Sequence, residues 1–434
     1  MERKFILVTN EKYSGLGFAV NEPNVILAYR YEKPHTSEEL DSLNLVGEGL
    51  VNKLPLEFLL ENKQDYYDYY WIWDGNHNYE IHDLLKKHGF KVCDMGGKFT
   101  YVLENDREFG LQFAESCGLF APETFEFTSP EDGIAFLEEN EDKAYVFKPS
   151  NEDDNSLTYV PINEEPSKAN KEIRQYIEAY ASHPATWDYI LQEKVKGVEV
   201  NIEAFFINGE PYFTHANFED KFNHQGDTGE ATGCSFDIDF EIDLTSRLYI
   251  ETVGKMEDQL SFKNYTGFAD ANVIIGDNEV YFLEFCFRPG YNMAPNFFYN
   301  LSNKSFFETI ADMIDGIKDV KCRPGFGASM TVFANKQRLG LPIYYPECFE
   351  DKVYLFDAYM DNDILKMAGI GYGDPEILVV LDHGYTIEDS LENVSEIAEE
   401  VIFKNCFYRI DAEEGDYKLS PMKRLNALNA MKML

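Results

Sequence analysis

The sequence predicts an α/β protein of several domains, and three observations carry that reading. Short apolar runs of strand length alternate with helix-like stretches through the first 95 residues, strand and helix patterns interleave again from 123 to 285, and the last hundred residues are mixed once more. With 434 residues, 44% hydrophobic and 15% aromatic, the chain can bury one or more sizeable cores, and roughly two to four domains are expected.

Taken in order, KFILVT (4 to 9), NVILAY (24 to 29) and YYWIW (69 to 73) read as strands, with a helix over 78 to 88, which together make a small unit with a parallel sheet. GGK at 96 to 98 is a break. A single helix is then expected through LENDREFGLQFAESCG, closed by Gly118 with Pro122 beyond it. The next unit offers strands at 144 to 148, 189 to 194, 198 to 206 and 211 to 215, with helices near 130 to 139 and 168 to 182. Gly209 in INGEP makes the hairpin turn between two of those strands. Residues 218 to 235, FEDKFNHQGDTGEATGCS, lack an apolar period and read as a long functional loop. Tyr249, Val253, Met256 and Leu260 keep helical spacing, and GFADANVII and EVYFLEF follow as strands around a turn at Gly276. In the last hundred residues ASMTVFA, DILKMAG and EILVVLD are strand-like, and a helix spans 387 to 404. There is no internal repeat and no low-complexity segment.

Charge narrows the partners. The 78 Asp and Glu against 38 Lys and Arg give a net −40, which repels a nucleic-acid polymer or an anionic membrane over the general surface. A phosphate-bearing ligand therefore needs a locally basic pocket. Seven cysteines without a C-x-x-C pair indicate neither a disulfide framework nor a zinc ribbon, and a reducing cytoplasm fits best. No apolar run reaches the roughly 18 residues needed to span a bilayer, so a soluble cytoplasmic protein is expected.

The usual phosphate motifs are missing. No G-x-x-x-x-G-K-[ST] occurs, and the clusters at Gly15 and Gly17 and at Gly369, Gly371 and Gly373 lack the spacing of a dinucleotide fingerprint, so they read as turn chemistry. The chemistry is concentrated instead in YFLEFCFRPG (281 to 290). An extended chain alternates faces, so Glu284, Cys286 and Arg288 share one face while Leu283, Phe285 and Phe287 take the other. Ionised groups on a buried face need a counter-ion, a metal or a ligand.

LENDREFGLQFAESCGLFAPET (103 to 124), VFKP (146 to 149), ILQEKVKGVEVNIEAFFINGE (190 to 210), DTGEATG (227 to 233), YTGFADANVIIGDNEVYFLEFCFRPG (265 to 290) and the tail KNCFYRID (404 to 411) are collinear over most of the chain. In that order they resemble the ATP-grasp ligases, most closely the phosphoribosylamine–glycine ligases. The resemblance implies an N-terminal Rossmann-like domain over 1–96, a two-part ATP-grasp core over 97–326 with a lid at about 123–190, and a small mixed α/β domain over 327–434. It also implies use of ATP and Mg²⁺ (or Mn²⁺), with ADP and phosphate released.

By the same resemblance Arg107 and Lys148 reach ATP phosphates, and Glu193, Lys194 and Val195 form the hinge whose backbone meets adenine. Glu199 accepts from the ribose hydroxyls, and Lys221 lies near the transferred phosphate. A cation at each phosphate position is what a triphosphate requires. Glu284 matches the carboxylate ligand of Mg²⁺, a hard ion that prefers oxygen. Cys286 stands where the family has an Asn and reads as an inert core residue, being a soft donor, while Asn272 on the neighbouring strand supplies the missing oxygen. Arg288 matches the arginine that steers the carboxylate and its acyl-phosphate, and Asp227, Thr228, Gly229, Thr232 and Gly233 match residues that wrap the substrates. The substrates implied are a small carboxylate, such as glycine or another amino acid, and an amine; a monomer or weak homodimer is expected.

Departures from the family fall on one side. PSNEDDNSLTYV replaces a glycine-rich flap, and TNEKYSGLG (9 to 17), WDGNHN (73 to 78), ANKQRLGLP (334 to 342) and GIGYGDPE (369 to 376) replace substrate segments. Three readings stand: the same ligation on a different amino acid or amine, glycine ligation to phosphoribosylamine itself, and a non-catalytic nucleotide-binding relative.

Overall fold

The computed structural model describes residues 2–149, 157–180, 188–226, 228–277, 279–335, 339–370, 376–409 and 420–434. Five strands, β1 (Phe5–Thr9), β2 (Val25–Tyr29), β3 (Asn52–Pro55), β4 (Tyr70–Trp73) and β5 (Lys91–Val92), form an all-parallel sheet in the order β3-β2-β1-β4-β5. Every residue of β1 and of β4 is buried, which is why their sequences are continuously apolar rather than alternating. The chain winds outward from β1 to β3 and then returns to β4 on the other side. A crevice beyond the carboxyl ends of β1 and β4 is where such a sheet takes ligands.

The single helix expected from 103 to 118 is two, Lys98–Asn105 and Arg107–Ser116. Asp106 between them is extended, with φ −117° and ψ 96°, and its carboxylate accepts from the Phe109 N–H at 3.0 Å. A side chain that caps a helix start competes with helix continuation, and the apolar period does not register that break. Gly118, with φ +76°, ends the second helix as expected.

A small antiparallel sheet follows, built from β6 (Thr124–Phe127), β7 (Tyr145–Pro149) and β8 (Tyr189–Glu193) in the order β6-β8-β7. With the helices Pro130–Glu139 and Pro166–Tyr180 it encloses its own core of Leu137, Tyr145, Phe147, Ile173, Ile177, Tyr189 and Leu191. A private core lets this unit move as a body on the rest.

The remaining strands are β9 (Val198–Ile207), β10 (Glu210–His224), β11 (Thr228–Glu241), β12 (Gly267–Ile275), β13 (Val280–Phe285), β14 (Phe326–Ala334), β15 (Val353–Leu355), β16 (Ala358–Asp361), β17 (Ile364–Met367), β18 (Glu376–Gly384) and β19 (Cys406–Phe407). They make a large antiparallel sheet in the order β13-β12-β9-β10-β11-β14-β18-β15, with β19 on β14 and β16-β17 as a separate hairpin. The sheet runs without a break across the expected boundary at 326, which falls at the start of β14. Gly209 turns the β9–β10 hairpin at φ +79°, where a Cβ would lie 2.3 Å from Ser261 Cα.

Two expectations are corrected here. Most of residues 218 to 235 is ladder rather than loop: β10 and β11 pair from His215↔Glu241 out to His224↔Thr228, with irregularities between Asp220 and Phe222 and between Phe222 and His224. Polar residues face the cleft and the strands are irregular, so neither an apolar alternation nor a strict period of two survives in the sequence. The helix expected from 244 to 262 is three short pieces, Arg247–Ile250, Val253–Met256 and Glu257–Phe262, broken at Thr252 with φ −123° and ψ −106°. No helix among the described residues is long and apolar enough to cross a membrane.

Candidate functional site

Register decides which side chains meet. Asn201 of β9 is paired with Asn217 of β10 and with Asn272 of β12, and Asn272 is paired with Glu284 of β13. Side chains directly opposite share a face, and so do residues two apart on each strand. Glu199, Asn201, Glu203, Asn272 and Glu284 therefore lie on one side of the sheet. Beyond β13 the face continues through Cys286 and Arg288, while Phe285 and Phe287 are buried in the core opposite; Leu283, expected with them, is only half-buried, because the β12–β13 register shifts there and Phe282 takes the core place.

At one end of this face four charged groups from three units converge. The Lys221 ammonium donates to Glu284 Oε1 at 3.0 Å and lies 3.8 Å from Glu219. Lys221, followed by Lys148 and Arg107, holds the Glu284 carboxyl down at about 2 against the effect of burial. Burial lowers Lys148 to about 8; Arg107 and Lys221 push the same way, while Glu284 and Glu199 oppose them. Arg107 opens its helix, Lys148 sits on β7 of the small antiparallel sheet, Lys221 is on β10 and Glu284 on β13. Three cations gather around the half-exposed Glu284, with Glu219 and Glu199 beside Lys221, so the local balance is far less acidic than the net −40 of the chain.

Glu199 accepts from Asn272 Nδ2 at 3.0 Å. That bond fixes the amide and leaves Asn272 Oδ1 buried without a hydrogen bond. Glu284, ionised and directly across the ladder, and the unpartnered Asn272 oxygen are hard donors that fit a Mg²⁺ ion retaining several waters. Cys286 does not join them: burial pushes its thiol well up, and its Sγ lies 3.8 Å from the Arg288 carbonyl oxygen. No group of three His, Cys, Asp or Glu forms a metal cluster among the described residues. The backbone expected to serve as the adenine hinge is partly used by the protein itself, since Glu193 N donates to Glu123 O at 2.8 Å and Lys194 N to Ala144 O at 2.7 Å. The Lys194 ammonium turns away to Pro161 O and Glu164, and Val195 lies two residues past the end of β8.

The other end centres on Arg288. Its guanidinium contacts Glu104 Oε1 at 2.9 and 3.0 Å and lies over the Tyr291 ring, 4.8 Å from the centroid. Tyr291 OH meets Lys12 at 3.1 Å, and Glu104 Oε2 accepts from Asn76 Nδ2 at 2.6 Å. Lys12 lies beyond β1 and Asn76 beyond β4, so the crevice of the parallel sheet opens onto Arg288. Inside that crevice Asp74 Oδ2 accepts from the Gly15 N–H at 2.8 Å and its Oδ1 meets His77 Nε2 at 2.8 Å. Glu32 accepts from Asn78 N, and Glu11 from Glu32 N.

Of the residues expected to wrap the substrates, Thr232 Oγ1 donates to Lys221 O at 2.7 Å, and Gly233 passes so close beneath Tyr291 that a Cβ would lie 2.9 Å from its ring. Thr228 and Gly229 stand at the exposed tip of the hairpin, where Thr228 donates to Gln225 O. Asp227 lies outside the described residues, as does most of the acidic segment after Pro149. Sequence reasoning missed Glu104, Lys12, Asn76 and Tyr291. Their partners are 184 to 279 residues away for Arg288–Glu104 and Lys12–Tyr291, beyond any local pattern, although Glu104 lies within a segment that carried the resemblance.

No protein-family model matches the chain, and no curated protein matches it in sequence. Solved structures do match over nearly its full length. Phosphoribosylamine–glycine ligase from Thermotoga maritima superposes with a TM-score of 0.66 at 16% identity, over 94% of this chain and 100% of that one. The biotin carboxylase domain of the Hydrogenobacter thermophilus 2-oxoglutarate carboxylase, solved with MgADP and bicarbonate, gives 0.63 at 11% identity over 99% of each chain. The L-amino acid ligase from Bacillus licheniformis gives 0.56 at 15%, over 93% of this chain and 99% of that one. The likeness is one of fold, and the protein has the ATP-grasp fold that its motifs resemble.

Proposed function

We propose that this protein is an ATP-dependent ligase that joins a small carboxylic acid, such as an amino acid, to an amine, using Mg²⁺ or Mn²⁺. The observation that carries the reading is the convergence of Arg107, Lys148 and Lys221 on Glu284, at one end of a cleft whose other end holds Arg288. Three cations neutralise a triphosphate. Glu284 and Asn272 hold the metal, which when bound offsets charge on the transferring phosphoryl group.

In the reaction a carboxylate oxygen attacks the γ-phosphorus, the bond to the β,γ-bridging oxygen breaks, and ADP leaves. The amine nitrogen then attacks the acyl carbon, the phosphate oxygen leaves, and the nitrogen loses a proton to give the amide. Arg288 exchanges Glu104 for the substrate carboxylate, then steadies the negative oxygen of the tetrahedral intermediate. Lys221 stays with the phosphoryl group. Val195 and the carbonyls of the hinge meet adenine, Glu199 the ribose, and Thr232 and Gly233 line the substrates.

The acceptor is an amine without a phosphate, which separates this reading from glycine ligation to phosphoribosylamine. Backbone amides at the mouth of a parallel sheet are the usual seats of a phosphate. Here Gly15 N, Asn78 N and Glu32 N are taken by Asp74, Glu32 and Glu11, and the crevice presents carboxylates, which favour a hydroxylated or cationic acceptor. Cys286, in place of an oxygen donor, favours the non-catalytic alternative. One experiment separates the three readings: ADP release measured over a panel of amino acids against phosphorylated and unphosphorylated amines. Release that requires an unphosphorylated amine supports the proposal, release only with phosphoribosylamine supports the second reading, and ATP binding without release under any pair supports the third.

A further inference from the structure

Amide formation needs one group that the residues named so far do not supply: an acceptor for the proton that the attacking nitrogen must lose. A carboxylate stands where that proton is released. Glu104, near the end of the helix Lys98–Asn105, gives one oxygen to Arg288 and the other to the crevice of the parallel sheet. Its Oε1 takes both guanidinium contacts, at 2.9 and 3.0 Å, and its Oε2 accepts from Asn76 Nδ2 at 2.6 Å, just beyond β4. Among the described residues Arg288 pairs with no other carboxylate.

The two oxygens are held independently. The hydroxyl of the buried Thr100 donates to Asn76 Oδ1 at 2.7 Å, which turns the amide nitrogen of Asn76 toward Glu104. When Arg288 moves to a substrate carboxylate, Oε2 therefore stays on Asn76 while Oε1 loses its partner, between the guanidinium and the mouth of the crevice. The other crevice groups are spent. Asp74, Glu32 and Glu11 accept from backbone amides, and the His77 ring nitrogens meet Asp74 Oδ1 at 2.8 Å and Asn78 Nδ2 at 3.2 Å. Glu104 alone among them has a partner that the reaction itself removes.

We propose, resting on the ligase reading above, that Glu104 is the base of the second step and takes the proton that amide formation releases. The neutral amine attacks the acyl carbon, the carbon–nitrogen bond forms, and the nitrogen becomes cationic. Its N–H bond then gives the proton to Glu104 Oε1 and the electron pair to nitrogen, while the carbon–oxygen bond to phosphate breaks with its pair on the phosphate oxygen. Glu104, now a carboxylic acid, returns the proton to water and pairs again with Arg288. The exchange ties the two steps together: until a substrate carboxylate displaces it, Glu104 is the partner of an arginine and not a base.

The test sets hydroxylamine against an ordinary amine as acceptor, with the full chain, ATP, Mg²⁺ and a panel of amino acids as the carboxylic acid. Hydroxylamine attacks as the neutral molecule near pH 7, and its adduct is acidic enough to lose the proton to water. Glu104→Gln keeps the shape and an oxygen for Asn76 but takes no proton. Its amide rate is expected to fall by about 100-fold or more, the usual worth of a general base, so the ratio of hydroxamate to amide rises by nearly as much. Equal losses of both products would make Glu104 only a partner of Arg288, and an unchanged amide rate would leave it no role; either overturns the assignment while the ligase reading stands. Asn76→Ala, which frees the carboxylate from its hold, is expected to raise the ratio in smaller measure and decides if Glu104→Gln does not fold. If the unmodified protein forms neither hydroxamate nor amide from any amino acid, the ligase reading fails and the assignment with it.

Discussion

The two ends of the cleft treat charge in opposite ways. At the end beside β7, Arg107, Lys148 and Lys221 gather around Glu284, with Glu219 and Glu199 next to Lys221. At the parallel-sheet end Arg288 is matched by Glu104, Lys12 is held by Tyr291, and the anion-seeking amides are occupied by Asp74, Glu32 and Glu11. On the proposed reading a polyanion fits the first end and not the second. On the proposed reading, the nucleotide end can stay as it is while the acceptor end changes, since the parallel sheet contributes only to the second.

Removing Glu284 strikes the nucleotide end hardest. Glu284→Gln is expected to lower turnover by about two to three orders of magnitude, the range seen when a group that stabilises transition-state charge is removed. Because its side chain is 56% exposed, Tm should hardly change, and ADP release with a melting curve reads both. Arg288→Ala comes next. It is expected to cost about 100-fold in kcat/KM for the carboxylate while leaving the affinity for ATP alone nearly untouched, measured by initial rates and titration calorimetry.

The acceptor end gives a smaller effect of a different kind. Asp74→Ala releases the Gly15 N–H and leaves His77 without its carboxylate, so KM for an unphosphorylated amine should rise about 10-fold with the KM for ATP unchanged. Equal losses for both substrates would erase the distinction between the ends. The smallest effect is a pH dependence. Lys148, lowered to about 8, is charged below that pH and neutral above it, so ATP affinity of the free protein should fall as pH rises through 8, by several-fold per unit. Lys148→Arg should flatten the curve, because a guanidinium keeps its charge throughout.

Much of this arrangement was legible in the sequence. The face carrying Glu284 and Arg288 followed from the two-residue period, and the parallel sheet from continuous apolar runs such as FILVT. Lys148 and Lys221 came from the motif order. The outer part of the β10–β11 ladder, residues 218 to 235, did not, because its polar residues face the cleft and its register shifts near Asp220 and Phe222. Asp106 hid a helix break inside an apolar period. Glu104 opposite Arg288, and the rung of Asn201, Asn217 and Asn272, depend on which strands become neighbours, and only the fold supplies that order.

One measurement bears most directly on the account: product analysis of the protein incubated with ATP, Mg²⁺, amino acids and unphosphorylated amines. The account predicts one ADP and one phosphate for each amide formed, none when either organic partner is omitted, and a loss of all three products in Glu284→Gln. ATP binding at full occupancy with no ADP from any pair, or ADP formed equally by Glu284→Gln, would contradict it.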